Sequence, residues 1–110
     1  MKKENKKEHC PVSEATKVIG GKWRLQIIHV IGHEKRRFGA LKKLLPTISE
    51  KMLIQELKHL THHEILNRKA YKEIPPRVEY SLTEFGKKVL PIIDQMHTFG
   101  QAILDKTNRD

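Results

Sequence analysis

Apolar residues recur at helical spacing over most of this chain, and the period changes to two in one segment. Between residues 78 and 82 apolar and polar side chains alternate, which is typical of a strand. A Pro75-Pro76 pair precedes this segment, and residues 65–71 form another short candidate strand before the pair. The pattern predicts one β-hairpin with a proline-containing tip in an otherwise helical chain.

Four helices are predicted before the hairpin and one after it. The first four run from Pro11 to the Gly20-Gly21 pair, from Trp23 to Gly32, from Phe38 to Pro46, and from a Ser49 N-cap to about His63. About four residues separate the third helix from the fourth, which is the spacing of a helix-turn-helix. Thr83 is a good N-cap for the last helix, and Pro91 is expected to kink or interrupt that helix.

These elements predict a mainly α fold with a small β-hairpin wing, that is, a winged helix-turn-helix. With 110 residues the chain fits one domain. We expect a flexible basic arm over residues 1–9, the domain over 10–104 and a polar tail over 105–110. No apolar stretch approaches the ~20 residues of a membrane span, so a cytoplasmic protein is expected.

The charge of the chain favours a polyanionic partner. Lys and Arg number 22 against 13 acidic residues, which gives a net charge of +9. Residues 11–83 contain 14 basic and 7 acidic residues, so most of the excess belongs to the middle of the fold. Double-stranded DNA is the partner that this distribution indicates.

The fourth helix is predicted to have a buried apolar face and an exposed polar stripe. The apolar face contains Leu53, Leu57 and Leu60, and the opposite stripe contains Lys51, Gln55, Lys58 and His62. Gln55 can pair with adenine and Lys51 can reach guanine. Most surface helices have such a stripe without contacting DNA. Here the helix follows a short basic-tipped helix and precedes a basic hairpin, which favours a recognition helix.

Basic residues on the neighbouring elements are candidates for phosphate contacts. They lie at the start of the third helix and on the wing, where Lys72 adds a further charge. Each of them alone is more often solvated than bound. The predicted DNA-contacting set is Arg36, Arg37, Ser49, Lys51, Gln55, Lys58, Arg68, Lys69 and Arg77.

Several strings in the chain resemble the HxlR-type winged-helix regulators over about residues 10–100. They are Gly21-Lys22-Trp23, Arg36-Arg37-Phe38, Leu45-Pro46, Ile48-Ser49-x-Lys51-x-Leu53 and the most specific one, PPRVEYSLTEFG from Pro75 to Gly86. The resemblance implies a homodimer on an inverted-repeat operator, with the terminal helices forming most of the interface. A long apolar stripe on the last helix agrees, because it would be a large exposed patch on a monomer. The predicted interface contains Val12, Phe85, Val89, Ile92, Met96, Phe99 and Ile103.

The chain departs from the family pattern in two places. His62-His63-Glu64 replaces the usual acidic residue and glycine after the recognition helix, so we expect the left-handed C-cap to be lost. The helix would then run longer or end less cleanly. Phe99 replaces a frequent tryptophan and keeps an apolar anchor.

Cys10 is the one cysteine of the chain. It precedes Pro11 at the position where electrophile- and oxidant-sensing members of the family carry their reactive cysteine, so the resemblance suggests a redox switch. Lys6, Lys7 and the N-terminus of the first helix would favour its thiolate. Packing as a small apolar residue at the dimer interface is the alternative.

Other function classes have less support. His59, His62 and His63 have a spacing that could bind a metal, but no further ligand is evident, so neither a metal nor a cofactor is expected. No catalytic constellation is present in the sequence. Two alternatives stay open: a metal- or ligand-responsive regulator with an inert Cys10, and a winged-helix protein-interaction module.

Overall fold

The computed structural model describes residues 10–108. The helices are α1 (Pro11–Ile19), α2 (Arg24–Ile31), α3 (Phe38–Leu44), α4 (Glu50–His62) and α5 (Leu90–Asn108), and a 3-10 helix spans Gly86–Val89. The strands are β1 (Arg36–Arg37), β2 (Leu66–Tyr71) and β3 (Arg77–Leu82). The predicted order of helices and hairpin is confirmed. The predicted arm, residues 1–9, lies outside the described residues, and none of the helices within 10–108 is long and apolar enough to cross a membrane.

The three strands form an antiparallel sheet in the order β1-β3-β2. Arg68 on β2 and Arg36 on β1 both pair with Tyr80 of β3, so the short β1 fixes the start of α3 against the hairpin. The sequence predicted a basic turn where β1 lies. A two-residue strand has no detectable period, which explains the difference.

The core lies between α2, α4 and one face of the sheet. From α2 it takes Ile27, Ile28 and Ile31, which are fully buried as the sequence predicted. The predicted apolar face of α4 is also confirmed, because it places Leu53, Leu57 and Leu60 in the same cluster. The polar stripe of α4 therefore faces away from the core.

The end of α4 differs from the prediction. The helix ends at His62, and Glu64 has a left-handed φ of 61°. The N–H of Ile65 donates to the Leu60 carbonyl at 2.9 Å, and the N–H of Glu64 donates to the Thr61 carbonyl at 3.0 Å. This is the Schellman hydrogen-bond pattern that glycine normally completes. The expectation that the C-cap is lost was wrong, because Glu64 itself adopts the strained conformation.

The last helical segment begins with a 3-10 turn. Thr83 caps it as predicted, since its Oγ1 accepts a hydrogen bond of 2.7 Å from the N–H of Gly86. Pro91 is the second residue of α5, where its missing N–H needs no partner. The predicted interruption therefore coincides with the change from the 3-10 helix to α5. From there α5 continues to Asn108, within the segment predicted to be a polar tail.

Candidate nucleic-acid interface

Side-chain contacts fix α4 against α1 and α2. Arg24 of α2 donates from Nε to Glu56 at 2.5 Å. His59 Nε2 lies 2.8 Å from the carbonyl oxygen of Val18 in α1. Both contacts are partly buried, so water competes with them less than at the surface. They hold α4 at a defined angle in the fold.

The predicted polar stripe of α4 lies entirely at the surface. Lys51, Gln55, Lys58 and His62 are exposed on the side opposite the core. Ser49 is exposed as well, and its Oγ accepts a hydrogen bond of 3.0 Å from the N–H of Met52. As the N-cap it stabilises the helix, while its O–H is still able to donate to a phosphate.

The two arginines before α3 have different surroundings. Arg36 is half-buried, and its Nε donates to the carbonyl oxygen of Val30 at 3.0 Å, which connects β1 to the end of α2. Arg37 is exposed. Of this pair, Arg37 has the more accessible guanidinium for a phosphate.

On the wing, Arg77 is held in an ion-pair cluster. Its guanidinium donates to Glu79 at 2.6 Å and to Glu73 at 2.7 Å, and it lies 3.6 Å from the ring centroid of Tyr71. The pKa of Arg77 is raised, mainly by the hydrogen bond with Glu73. Burial alone would raise the pKa of Glu79, but Tyr71 and Arg77 outweigh it and lower that pKa. The sequence predicted that this guanidinium contacts the DNA backbone. In the structure it is already engaged by Glu73, Glu79 and Tyr71.

Arg68 and Lys69 of β2 point to opposite faces of the hairpin because neighbouring side chains alternate along a strand. Arg68 pairs with Tyr80 and shares its face, which is the one toward α4. Lys69 lies on the outer face, with Nζ 4.9 Å from the Tyr71 ring centroid. Both are exposed. Arg68 is therefore the wing arginine that shares a surface with α4.

The histidines at the end of α4 contact one another. The ring of His63 lies 4.5 Å from His59 and 5.1 Å from His62, measured between centroids. Burial lowers the pKa of His63, and the charges of His59, His62 and Arg24 lower it further. Within residues 10–108 no group of three or more His, Cys, Asp or Glu side chains is placed to hold a metal ion.

A long apolar stripe covers one side of α5. In the 19-residue helix α5, Ile93 is buried. The stripe is exposed and contains Ile92, Met96, Phe99 and Ile103. Phe99 is 68% exposed, and Val12 of α1 is 74% exposed. Phe85 is also exposed, but Val89 is only 6% exposed and belongs to the core. Val89 is thus not available to a partner, because the 3-10 turn directs it inward.

Cys10 is the N-cap residue of α1 and is exposed. The backbone N–H groups of Ser13 and then Val12, together with the Ser13 hydroxyl, lower the pKa of its thiol. A thiolate is the nucleophilic form of cysteine, so this position favours reactivity.

Two features of this surface were not predicted from the sequence. One is the ion-pair cluster of Arg77. Its signal in the sequence was Glu79, two residues after Arg77, because residues two apart share a face of a strand. The other is an apolar groove between α4 and the hairpin, lined by Phe38, Ile54 and Val78 among others. Ile54 lies next to Gln55 of the polar stripe, and an apolar residue outside the face of Leu53, Leu57 and Leu60 was the available signal in the sequence.

Comparison with known proteins places this geometry in a family. The HTH-type transcriptional regulator YdeP of Bacillus subtilis (strain 168) is 38% identical over 102 residues, covering 93% of this chain and 80% of YdeP. A solved protein of Porphyromonas gingivalis W83, described as a MarR-family transcriptional regulator, has a TM-score of 0.83 and 52% identity, over 86% of this chain and 92% of that one.

A redox regulator is among the similar structures. The reduced form of HypR has a TM-score of 0.84 and 37% identity, covering 92% of this chain and 100% of HypR. The family model for HxlR-like helix-turn-helix proteins matches residues 18–108. The chain therefore belongs to the HxlR-like helix-turn-helix family of transcriptional regulators.

Proposed function

We propose that this protein is a cytoplasmic, homodimeric, non-enzymatic regulator that binds an inverted-repeat DNA operator, with α4 in the major groove. The observation that carries the proposal is the exposed stripe of α4 beside a hairpin that presents Arg68 on the same side. Gln55 and Lys51 contact bases, while Arg37, Lys58 and Arg68 contact phosphates. Arg36, Ser49, Lys69 and Arg77 support these contacts mainly by holding the elements in place, as their hydrogen bonds and ring contacts suggest.

Selection of bound duplexes from random DNA tests the role of α4. Gln55→Ala should relax the preference at one position of the selected site and cost about 1 to 3 kcal/mol on that site. Gln95→Ala, at an exposed glutamine of α5, is the matched control and should keep the selected sequence. An unchanged sequence for Gln55→Ala would show that α4 does not contact bases as proposed.

The exposed stripe of α5 supports the dimer. Ile92, Met96, Phe99 and Ile103 lie along one side of a helix about 28 Å long, which is a large apolar surface for a monomer. Phe99→Glu should shift the protein to a monomer in sedimentation at micromolar concentration. Thr98→Glu adds the same charge beside the stripe and should leave the dimer intact. If both variants sediment like the wild type, another surface forms the interface.

We further propose that Cys10 makes the regulator responsive to oxidants or small electrophiles. Its exposure and lowered thiol pKa support this, as does similarity to a redox regulator. With one cysteine per chain, oxidation by diamide would join two Cys10 thiols in an intersubunit disulfide, and the diamide would take up the two hydrogens. An electrophile would instead form a mixed adduct. Either product changes how the subunits meet and therefore the spacing of the two α4 helices.

Diamide treatment of the wild type and of Cys10→Ser tests this response. We expect diamide to alter the DNA affinity of the wild type, reversibly with dithiothreitol, and to leave Cys10→Ser unaffected. A modified Cys10 in mass spectrometry without a change in DNA affinity would instead assign Cys10 a packing role. The pH midpoint of iodoacetamide alkylation should lie below that of the unfolded chain, and Ser13→Ala should raise it in part.

A further inference from the structure

A groove of about 630 Å³ lies between α4 and the inner face of the hairpin. Its floor is formed by Phe38 of α3, Ile54 and Leu57 of α4, and Val78 and Tyr80 of β3. The groove forms because the hairpin diverges from the core toward the hairpin tip, so its inner face becomes less covered in that direction. Tyr80 is buried, Val78 is half-buried and Ala70, its partner on β2, is exposed.

The chemistry of this floor does not match a DNA phosphate. Protein groups that hold a phosphate are N–H donors and basic side chains. Apolar side chains instead gain free energy when an apolar body displaces water from them. The groove also has the volume and the mainly apolar lining of a small-molecule site.

The charged side chains of the groove make its two ends electrostatically different. Lys58 and His62 line the groove one helical turn apart on α4, Arg68 lines it from β2, and Glu50 lines it at the start of α4. Glu50 and Lys58 are eight residues apart, which is about 12 Å along a helix. An anion is therefore attracted to the Lys58 end and kept away from the Glu50 end. The net charge of +9 on the chain also attracts anions to the protein.

We propose that this groove binds a small aromatic carboxylate or a similar flat organic anion, with its apolar body on Phe38, Ile54 and Val78 and its charge toward Arg68 and Lys58. Lys58 and Arg68 are the residues to which the proposed function assigns phosphate contacts. The ligand covers them, so ligand and DNA compete. This regulatory step rests on the proposed function, whereas binding of the ligand to the protein alone does not.

The first experiment measures 2-naphthoate binding to the full chain without DNA, by NMR titration, with neutral 2-naphthamide for comparison. Arg68→Gln should weaken naphthoate about tenfold, as expected for a lost charge-assisted hydrogen bond, and should leave naphthamide unchanged. Ile54→Glu should abolish binding of naphthoate. Gln55→Glu adds the same charge one residue away, outside the groove, and should retain it.

The second experiment measures the affinity of a labelled duplex carrying the selected site, with naphthoate or with an equal concentration of acetate. We expect naphthoate, and not acetate, to weaken DNA binding. The proposal is overturned if naphthoate does not bind, or if it binds the wild type, Arg68→Gln and Ile54→Glu equally. It is also overturned if naphthoate binds and DNA affinity does not change. If no duplex is bound at all, the proposed function fails, while the first experiment still decides whether the groove is a ligand site.

Discussion

The hydroxyl of Thr83 donates a hydrogen bond of 2.6 Å to the carbonyl oxygen of Glu64, 19 residues earlier in the chain. The same hydroxyl oxygen accepts from the N–H of Gly86 at 2.7 Å. One side chain therefore connects the end of α4, the proposed recognition helix, to the start of the segment that leads into α5, the proposed dimerisation helix.

Loss of the Thr83 hydroxyl should destabilise this connection. Thr83→Val keeps the shape of the side chain and removes both hydrogen bonds, so we expect the free energy of unfolding to fall by about 1 to 2 kcal/mol. Urea denaturation followed by circular dichroism measures the change. Thr83→Ser retains the hydroxyl and is the control. Equal stability of the two variants would show that the connection contributes little.

Glycine at position 64 should stabilise the protein. Glu64 has a φ of 61°, a region that costs an L-residue about 1 to 2 kcal/mol and that glycine adopts without this cost. Because glycine also loses more entropy on folding, we expect Glu64→Gly to raise the free energy of unfolding by about 1 kcal/mol. Glu34→Gly, at an exposed turn residue with ordinary φ, should give no gain in the same denaturation experiment.

Arg68→Ala and Arg77→Ala should have different effects. Arg68 is exposed beside α4, so its loss should weaken binding to all DNA sequences and reduce the slope of log affinity against log salt by about one. Arg77 holds Glu73 and Glu79, so its loss should mainly lower the melting temperature. Fluorescence anisotropy at several salt concentrations and thermal melting separate the two effects. A larger change of salt slope for Arg77→Ala would reverse the assignment.

His63 should make folding stability sensitive to mild acid. Burial, followed by the charges of His59, His62 and Arg24, lowers its pKa in the folded state. The unfolded chain therefore binds this proton first as the pH falls below about 6.5, the ordinary value, and stability decreases from there down to the folded-state pKa.

Comparison of urea midpoints at about pH 7.5 and about pH 5.5 tests the role of His63. His63→Gln should lose less stability on acidification than the wild type. His33→Gln, at an exposed histidine of the turn after α2, should behave like the wild type. If His63→Gln is as acid-sensitive as the wild type, another group causes the loss.

Apolar periodicity and local capping signals were enough to predict the main elements of the fold and their buried faces. The order of the helices, the hairpin and the two sides of α4 were predicted, because the period of apolar residues follows directly from the geometry of a helix or a strand. Thr83 was predicted as a cap for the same reason: a cap depends on a few neighbouring residues. The candidate contact surface on α4 could thus be predicted down to Lys51, Gln55, Lys58 and His62.

The roles of several single residues depend on tertiary packing and could not be predicted from the sequence. It buried Val89, placed Arg77 between Glu73 and Glu79, and brought Gly86 so close to the Ile65 carbonyl that an added Cβ would collide with it. It also imposed a left-handed backbone on Glu64, against the preference of that residue type. Each of these outcomes depends on how separate elements pack against one another, and the period of a sequence segment carries no information about such packing.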